Sequence, residues 1–245
     1  MNPTADYELT VVIPVYNEQE SLPDLFNALE NYHRRASITT CFLFVNDCST
    51  DGSFGLIREW CLRQNGFFYI SLEHRSGFTG SIKAGLEKVT SPLTGFIDAD
   101  LRTSPDDFEL LLARRNDVAL VCGIRDHSHD NFFTHMNVIL FSKIRRMITH
   151  DDIVDTTCPL KLGKTHILKM LPWFSGMHCF LPALVKLTGH GVATVEVRYQ
   201  KRMKGKSKHC FIRSAVSGFC DLLVFMWMRK RYVEPAIAES NLIQR

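Results

Sequence analysis

The chain has 245 residues, 45% of them hydrophobic and 22% charged, which is ample for one large domain with a sizeable core. A formal charge of +3 is too small to imply a nucleic-acid partner. The eight cysteines form no CxxC pair and no zinc-like spacing with histidine; they lie among apolar neighbours, as reduced thiols of a cytoplasmic protein do.

The opening MNPTADYELT has no basic stretch followed by an apolar core, so no secretory signal is expected. LTVVIPV (Leu9 to Val15) is apolar and β-branched on both faces, as a central parallel strand requires. From about Ser21, Leu22, Leu25, Phe26 and Leu29 recur at helical spacing. CFLFVND (Cys41 to Asp47) predicts a second strand, followed by the loop CSTDGS and a helix through Ile57 and Trp60. FFYISLE (Phe67 to Glu73) predicts a third strand, then the Gly-rich turn HRSGFTGSI and a helix ending near Val89. GFIDAD reads as a fourth strand, DDFELLLARR as a helix and DVALVCGIR as a fifth strand. Alternation of this kind argues for a mostly parallel sheet flanked by helices, with ligands beyond the C-terminal strand ends. Tyr16, Glu18, Asp47, Asp98, Asp100 and Arg125 all fall there.

The second half is less regular. Asn131 to Ile148 reads as an amphipathic helix with Phe132, Phe133, Met136, Leu140, Ile144 and Met147 on one face. Val192 to Tyr199 alternates like a strand, Leu222 to Met228 (LLVFMWM) is an apolar helical run, and the tail from Val233 reads as a chain end outside the core. No run approaches the ~20 apolar residues needed to cross a bilayer. LLVFMWM is read as a core helix or as one lying in the membrane interface. Basic residues gather late: Arg198 to Lys208 holds six Lys or Arg and no acid.

The segment from Thr94 to Asp107, TGFIDADLRTSPDD, carries the strongest chemical signal. If its strand persists, Asp98 and Asp100 share one face at the strand's C-terminal lip. Two carboxylates so placed repel unless a cation sits between them, and hard oxygen ligands suit Mg²⁺ or Mn²⁺ bound to a diphosphate. D-x-D strings also arise in loops, and Ser104-Pro105-Asp106-Asp107 doubles as a helix start.

In order, LTVVIPVYNE, FVNDCSTDGS, RSGFTGSIKAG, FIDADL, CGIR and KRMKGKSK resemble the family 2 glycosyltransferases, in particular the branch of dolichyl-phosphate mannose synthase and bacterial polyprenyl-phosphate sugar transferases. The likeness runs from about Leu9 to Lys208 and implies a fold of the GT-A type, α/β, with C-terminal amphipathic helices. It implies a single domain over 1–232, with a nucleotide-sugar half to about 125, an acceptor and membrane-facing half over 126–232, and a tail over 233–245. It implies that Pro14, Tyr16 and Glu18 wrap the base and ribose of a nucleoside diphosphate sugar, that Asp47 joins them, and that Asp98 and Asp100 hold the metal and diphosphate. Their plainer readings are a helix start for Tyr16 and Glu18 and an Asx turn for Asp47.

The same resemblance gives Arg125, Arg202 and Lys208 the grip on an acceptor lipid phosphate; the alternative for the last two is a solvated basic loop. Asp155, in DTTCPLKLGK, is implied as base or orienter, or is only a cap or turn, and Pro159 stands where the family has glycine. Asp100, Arg125 and Asp155 are thus the implied catalytic residues. His178 reads as a packed, satisfied histidine.

The chain departs from its relatives in two further places. Arg102 stands where Gln or Ser is common; a guanidinium has no lone pair for a cation, so it either turns away or neutralises the diphosphate. The arginine often found in the amphipathic helix is missing, with Thr134 and His135 near its place.

The expected reaction is inverting transfer of a sugar to polyprenyl phosphate, with Mg²⁺ or Mn²⁺ as cofactor. Basic residues beside the apolar helices (Lys143, Arg145, Arg146; Arg229, Lys230, Arg231) point to peripheral attachment on the cytoplasmic face of a membrane, directly or through a membrane-protein partner. The alternatives are transfer to a saccharide or protein hydroxyl, or a nucleotide-sugar-binding protein without turnover. A dinucleotide-dependent dehydrogenase is excluded by the lack of G-x-G-x-x-G after the first strand.

Overall fold

The computed structural model describes residues 2–125, 145–149, 153, 155–200 and 211–233, the stretch 211–219 by its backbone alone. Strands β1 (Leu9–Val15), β2 (Thr40–Asn46), β3 (Phe67–Ser71), β4 (Leu93–Phe96), β5 (Leu120–Arg125), β6 (Lys161–Lys164) and β7 (Val192–Val197) form one sheet in the order β3-β2-β1-β4-β6-β5-β7. All of these run the same way except β6, which is antiparallel to both β4 and β5. Helices α1 (Leu22–Arg35), α2 (Ser53–Arg63), α3 (Gly77–Lys88), α4 (Phe108–Leu112), α5 (Thr165–Met170), α6 (Leu181–Leu187) and α7 (Phe211–Arg231) flank it.

β1 is buried along its whole length because both its faces are covered. Leu9, Val11, Ile13 and Val15 meet Leu22, Leu25, Phe26 and Leu29 of α1, while Val12 meets Ile82 and Leu86 of α3 on the opposite side. The period-two alternation of a strand puts neighbouring residues in different layers, so an apolar run this uniform needs two cores. Gly85 lets α3 lie flat on the sheet, since a Cβ there would fall 2.5 Å from Val12 Cγ1. α1 opens after Ser21 with Pro23 in its first turn and closes with His33, Arg34 and Arg35, a charge order that suits the helix dipole.

Three sequence expectations change. β4 ends at Phe96, two residues before Asp98, so strand alternation does not bring the two aspartates together. They lie instead in a turn that Leu101 closes with φ of 58°. Lys161–Lys164, read only as a site segment, is a strand; four residues carrying two lysines and a glycine give no periodic signal. The DDFELLLARR helix is a 3-10 turn (Pro105–Asp107) running into the short α4.

The amphipathic helix expected over 131–148 lies outside the described residues except for its end. There Arg145 is 1% exposed and donates to the carbonyl of Ile153, so it is an interior cation and not part of a basic surface cluster. Thr134, His135, Arg202, Lys208 and the tail beyond 233 also lie outside the described residues. LLVFMWM sits in α7 and faces two ways: Leu222 and Phe225 are buried, whereas Leu223, Val224 and Trp227 are exposed. Among the described residues no helix is long and apolar enough to cross a membrane.

Candidate active site

Among the described residues, the non-glycine residues with positive φ are Asn17 (52°), Cys48 (57°) and Leu101 (58°), each past the C-terminal end of β1, β2 or β4. Left-handed backbone outside glycine is costly and persists where surrounding bonds over-determine it. Here they do, and the strained turns define one rim of the sheet.

On the β1–β2 side the fastening is by hydrogen bonds. Asn17 N donates to Ser49 Oγ (3.1 Å), Thr50 N to Asn17 Oδ1 (2.8 Å) and Glu18 N to Ser53 Oγ (2.8 Å), locking two loops together. Asp47 N donates to the carbonyl of Val15 (2.8 Å). The Asp47 carboxylate accepts from Ser76 N (2.6 Å) and Gly77 N (2.9 Å), so it caps the start of α3 from a distant strand end. This is neither the local Asx turn nor an idle carboxylate: it clamps the Gly-rich turn. Arg75, in that turn, lies 3.9 Å above the ring of Tyr16. Glu18 Oε2 accepts from Ser21 Oγ (3.0 Å), and Pro14 is buried in β1. His178, as expected, is packed: its Nδ1 is 2.8 Å from Thr79 Oγ1 and its edge meets Phe78.

On the β4–β5–β7 side the fastening is by charge. Burial first, and Asp100 second, push the Asp98 carboxyl up to about 7, against the pull of Lys161, Arg102 and Arg125. Asp100 therefore sits close enough to oppose the ionisation of Asp98 even though the strand does not align them. Lys161, only 4% exposed, begins β6 and donates to the carbonyl of Cys158. Asp100 Oδ1 accepts from the backbone N of Arg102 (3.2 Å), and Asp100 Oδ2 lies 3.2 Å from Arg102 Nε. Arg102 Nη1 donates to the Tyr199 hydroxyl (3.2 Å), and Gln200 N to the carbonyl of Arg102 (2.8 Å). Arg102 does not turn away from the site: its partner here is the aspartate itself.

Arg125, at the end of β5, grips Asp155 with Nε to Oδ2 (2.7 Å) and Nη2 to Oδ1 (3.0 Å), and also reaches Thr157 Oγ1. Its guanidinium lies 5.1 Å from the ring centre of Tyr199. Burial works against the Asp155 anion, but the bonds from Arg125 outweigh it and hold the carboxyl well below the usual range; Arg125 is held correspondingly above its own. An acid fixed in this way orients its partner and is a poor proton acceptor. Tyr199 thus links the two arginines.

Sequence reading missed Arg75, Lys161 and Tyr199. Arg75 and Lys161 lie inside motifs that had been recognised, and Tyr199 ends a strand that had been predicted, so position at the rim was the available signal. Among the described residues no three His, Cys, Asp or Glu gather to form a self-sufficient metal centre. A cation at this rim would have two protein carboxylates and would need further oxygens from a ligand.

Residues 10–171 match Glycosyl transferase family 2, well over half of the chain. The protein is a family 2 glycosyltransferase. Solved structures agree on the fold. Glucosyl-3-phosphoglycerate synthase from Mycobacterium tuberculosis with phosphoglyceric acid superposes at a TM-score of 0.69 and 13% identity, covering 95% of this chain and 83% of that one. The same enzyme with Mn²⁺, UDP-glucose and phosphoglyceric acid gives 0.68 at 14% identity, covering 95% and 82%. A further mycobacterial protein gives 0.67 at 13%, covering 95% and 77%. The family 2 glycosyltransferase described here therefore has the GT-A type of fold, an inverting-type nucleotide-sugar transferase scaffold.

Proposed function

We propose that this glycosyltransferase moves a sugar, with inversion, from a nucleoside diphosphate sugar to the phosphate of a polyprenyl phosphate. The observation that carries the reading is the state of Asp155: paired with Arg125 and held well below the usual carboxylate range, it is unsuited to deprotonating a hydroxyl. A phosphate acceptor is already an anion and needs no such base. The structural neighbours are described with phosphoglyceric acid, which carries a hydroxyl as well as a phosphate, so transfer to a saccharide or protein hydroxyl stands as the second reading.

In this reading the nucleotide lies on the β1–β2 rim, with Tyr16 and Glu18 beside its base and ribose and with Asp47 holding the Gly-rich turn in place. Asp98 and Asp100 fit a divalent ion, as Mn²⁺ accompanies UDP-glucose in the neighbours, because a carboxylate whose ionisation is opposed first by burial and then by its twin gains most from a cation. Such an ion, Mg²⁺ or Mn²⁺, supplies charge compensation to the departing diphosphate. Arg125, kept rigid by Asp155, holds the acceptor phosphate, a role that Arg202 and Lys208 share in this reading. A few cations suffice for this, since opposite charges ~4 Å apart are worth roughly 4 kcal/mol at an effective dielectric of 20.

The acceptor is a membrane lipid, and α7 supplies a surface for one: Leu223, Val224 and Trp227 are exposed beside Arg229, Lys230 and Arg231. Peripheral attachment at a cytoplasmic membrane face, directly or through a membrane protein, follows from that composition. Residues 1–232 act as one domain, the donor in its first half and the acceptor in its second. The test is a panel of radiolabelled UDP- and GDP-sugars with undecaprenyl or dolichyl phosphate, followed by organic extraction. Label entering the organic phase supports the reading; label that stays aqueous across the panel overturns it.

A further inference from the structure

Both carboxylate oxygens of Asp100 face the same residue, Arg102: one accepts from its backbone N and the other lies 3.2 Å from its Nε. The guanidinium is only partly tied down. Nη1 holds the Tyr199 hydroxyl, but the buried Nε has no hydrogen-bond acceptor in line, despite its closeness to Asp100. Buried donors without an aligned acceptor are rare in folded proteins and mark a group with another partner to serve. Arg102 also retains 31% of its side-chain exposure, so it has room to turn.

We propose that Arg102 occupies the cation position at Asp100 in the free protein and yields it only when a diphosphate arrives, so that metal and nucleoside diphosphate bind as one cooperative unit. The charges explain the coupling. Asp98 and Asp100 together carry two negative charges when ionised, and Arg102, Lys161 and Arg125 already stand against them. A divalent ion arriving alone meets a site without surplus negative charge and repels a guanidinium beside it. A diphosphate reverses both effects: it brings the missing negative charge and gives the Arg102 donors new acceptors in bidentate geometry. Arg102 is therefore a positioning residue that disfavours the bare metal, and reciprocity requires that nucleotide and metal raise each other's affinity by the same factor.

The inference rests on reading Asp98 and Asp100 as the metal pair, and titration with Mn²⁺ separates the two. Binding is measured by electron paramagnetic resonance and calorimetry on the full chain, with and without UDP or GDP. Wild type is expected to bind Mn²⁺ weakly alone and at least about tenfold more tightly with one of the nucleotides. In Arg102→Gln the affinity for Mn²⁺ alone rises about tenfold and the nucleotide effect shrinks to match. Arg102→Lys, which keeps the charge on a compact head group, leaves Mn²⁺ alone weakly bound. Arg35→Gln, which removes a surface arginine paired with Asp106, changes nothing and controls for net charge. Unchanged Mn²⁺ affinity in Arg102→Gln, or Arg102→Lys behaving like Arg102→Gln, overturns the role of Arg102 while leaving the metal pair standing. Mn²⁺ that binds wild type under no condition overturns both.

Discussion

The two sides of the rim hold their side chains by different means. Between β1, β2 and α3 the groups are fastened by neutral loops and by one carboxylate seated on two backbone N–H groups. Between β4, β5 and β7 nearly every contact joins full charges: Asp100 with Arg102 and Asp155 with Arg125, with Lys161 buried behind them. A hydrogen-bonded clamp can lose one bond and keep its shape. A charged network cannot lose one member without stranding another, because an uncompensated buried charge costs far more than the pair contributes. The β1–β2 side is thus built to be rigid, and the β4–β5–β7 side to be sensitive to what ionic species is present.

That contrast can be broken most severely at the aspartate pair. Asp98→Asn or Asp100→Asn is expected to lower kcat at least about 100-fold, the scale for removing charge stabilisation from a departing group, with the far-ultraviolet spectrum unchanged. Steady-state transfer assays check this. The next largest effect falls on stability. Arg125→Met alone leaves the buried Asp155 anion without its cation, held only by hydrogen bonds such as those from Thr157, and is expected to cost about 3–5 kcal/mol in urea denaturation, whereas Arg125→Met with Asp155→Leu recovers most of that loss. Equal losses in the single and double variants would mean that packing, not charge, dominates here.

Acid sharpens the same comparison. The Asp155 carboxyl is depressed in the fold, so the stability it contributes is present above its unfolded value of about 3.9 and disappears as pH falls below it. Wild type should therefore lose melting temperature relative to the double variant, which lacks this carboxyl, as pH drops from 5 towards 2. On the hydrogen-bonded side effects shrink. Asp47→Ala removes a cap and is expected to cost about 1 kcal/mol of stability and raise donor KM several-fold, with kcat little changed. Arg75→Ala removes a stacked cation from Tyr16, worth about 0.5–1 kcal/mol, and should move donor affinity by less than about fivefold.

The sequence announced the hydrogen-bonded side more clearly than the charged one. β1 and β2 are apolar runs ending in turn residues, and burial on both faces makes such runs unmistakable. Asp98 and Asp100 were legible as a pair, but the reason they meet was not: the strand stops at Phe96 and Leu101 then adopts left-handed backbone, of which leucine gives no hint. Arg102 was visible as a departure from the family pattern, yet its engagement with Asp100 depends on Tyr199, which approaches from the far end of the chain through a bridge to Thr103. Arg145 was misplaced for a related reason. A basic residue beside an apolar stripe reads as surface, and only a tertiary partner, the carbonyl of Ile153, makes it interior.

The reversed direction of β6 has a consequence for how this scaffold can diversify. Because that strand runs against its neighbours, the polypeptide leaves the sheet at Arg125 and re-enters at Lys161 on one and the same edge, where Phe96 and Cys122 flank the point of entry. A change in the length of the intervening stretch therefore has both its anchor points on a single edge and leaves every ladder of the sheet intact. On the proposed reading, acceptor preference can change along that stretch while the strands that carry the donor side keep their pairing.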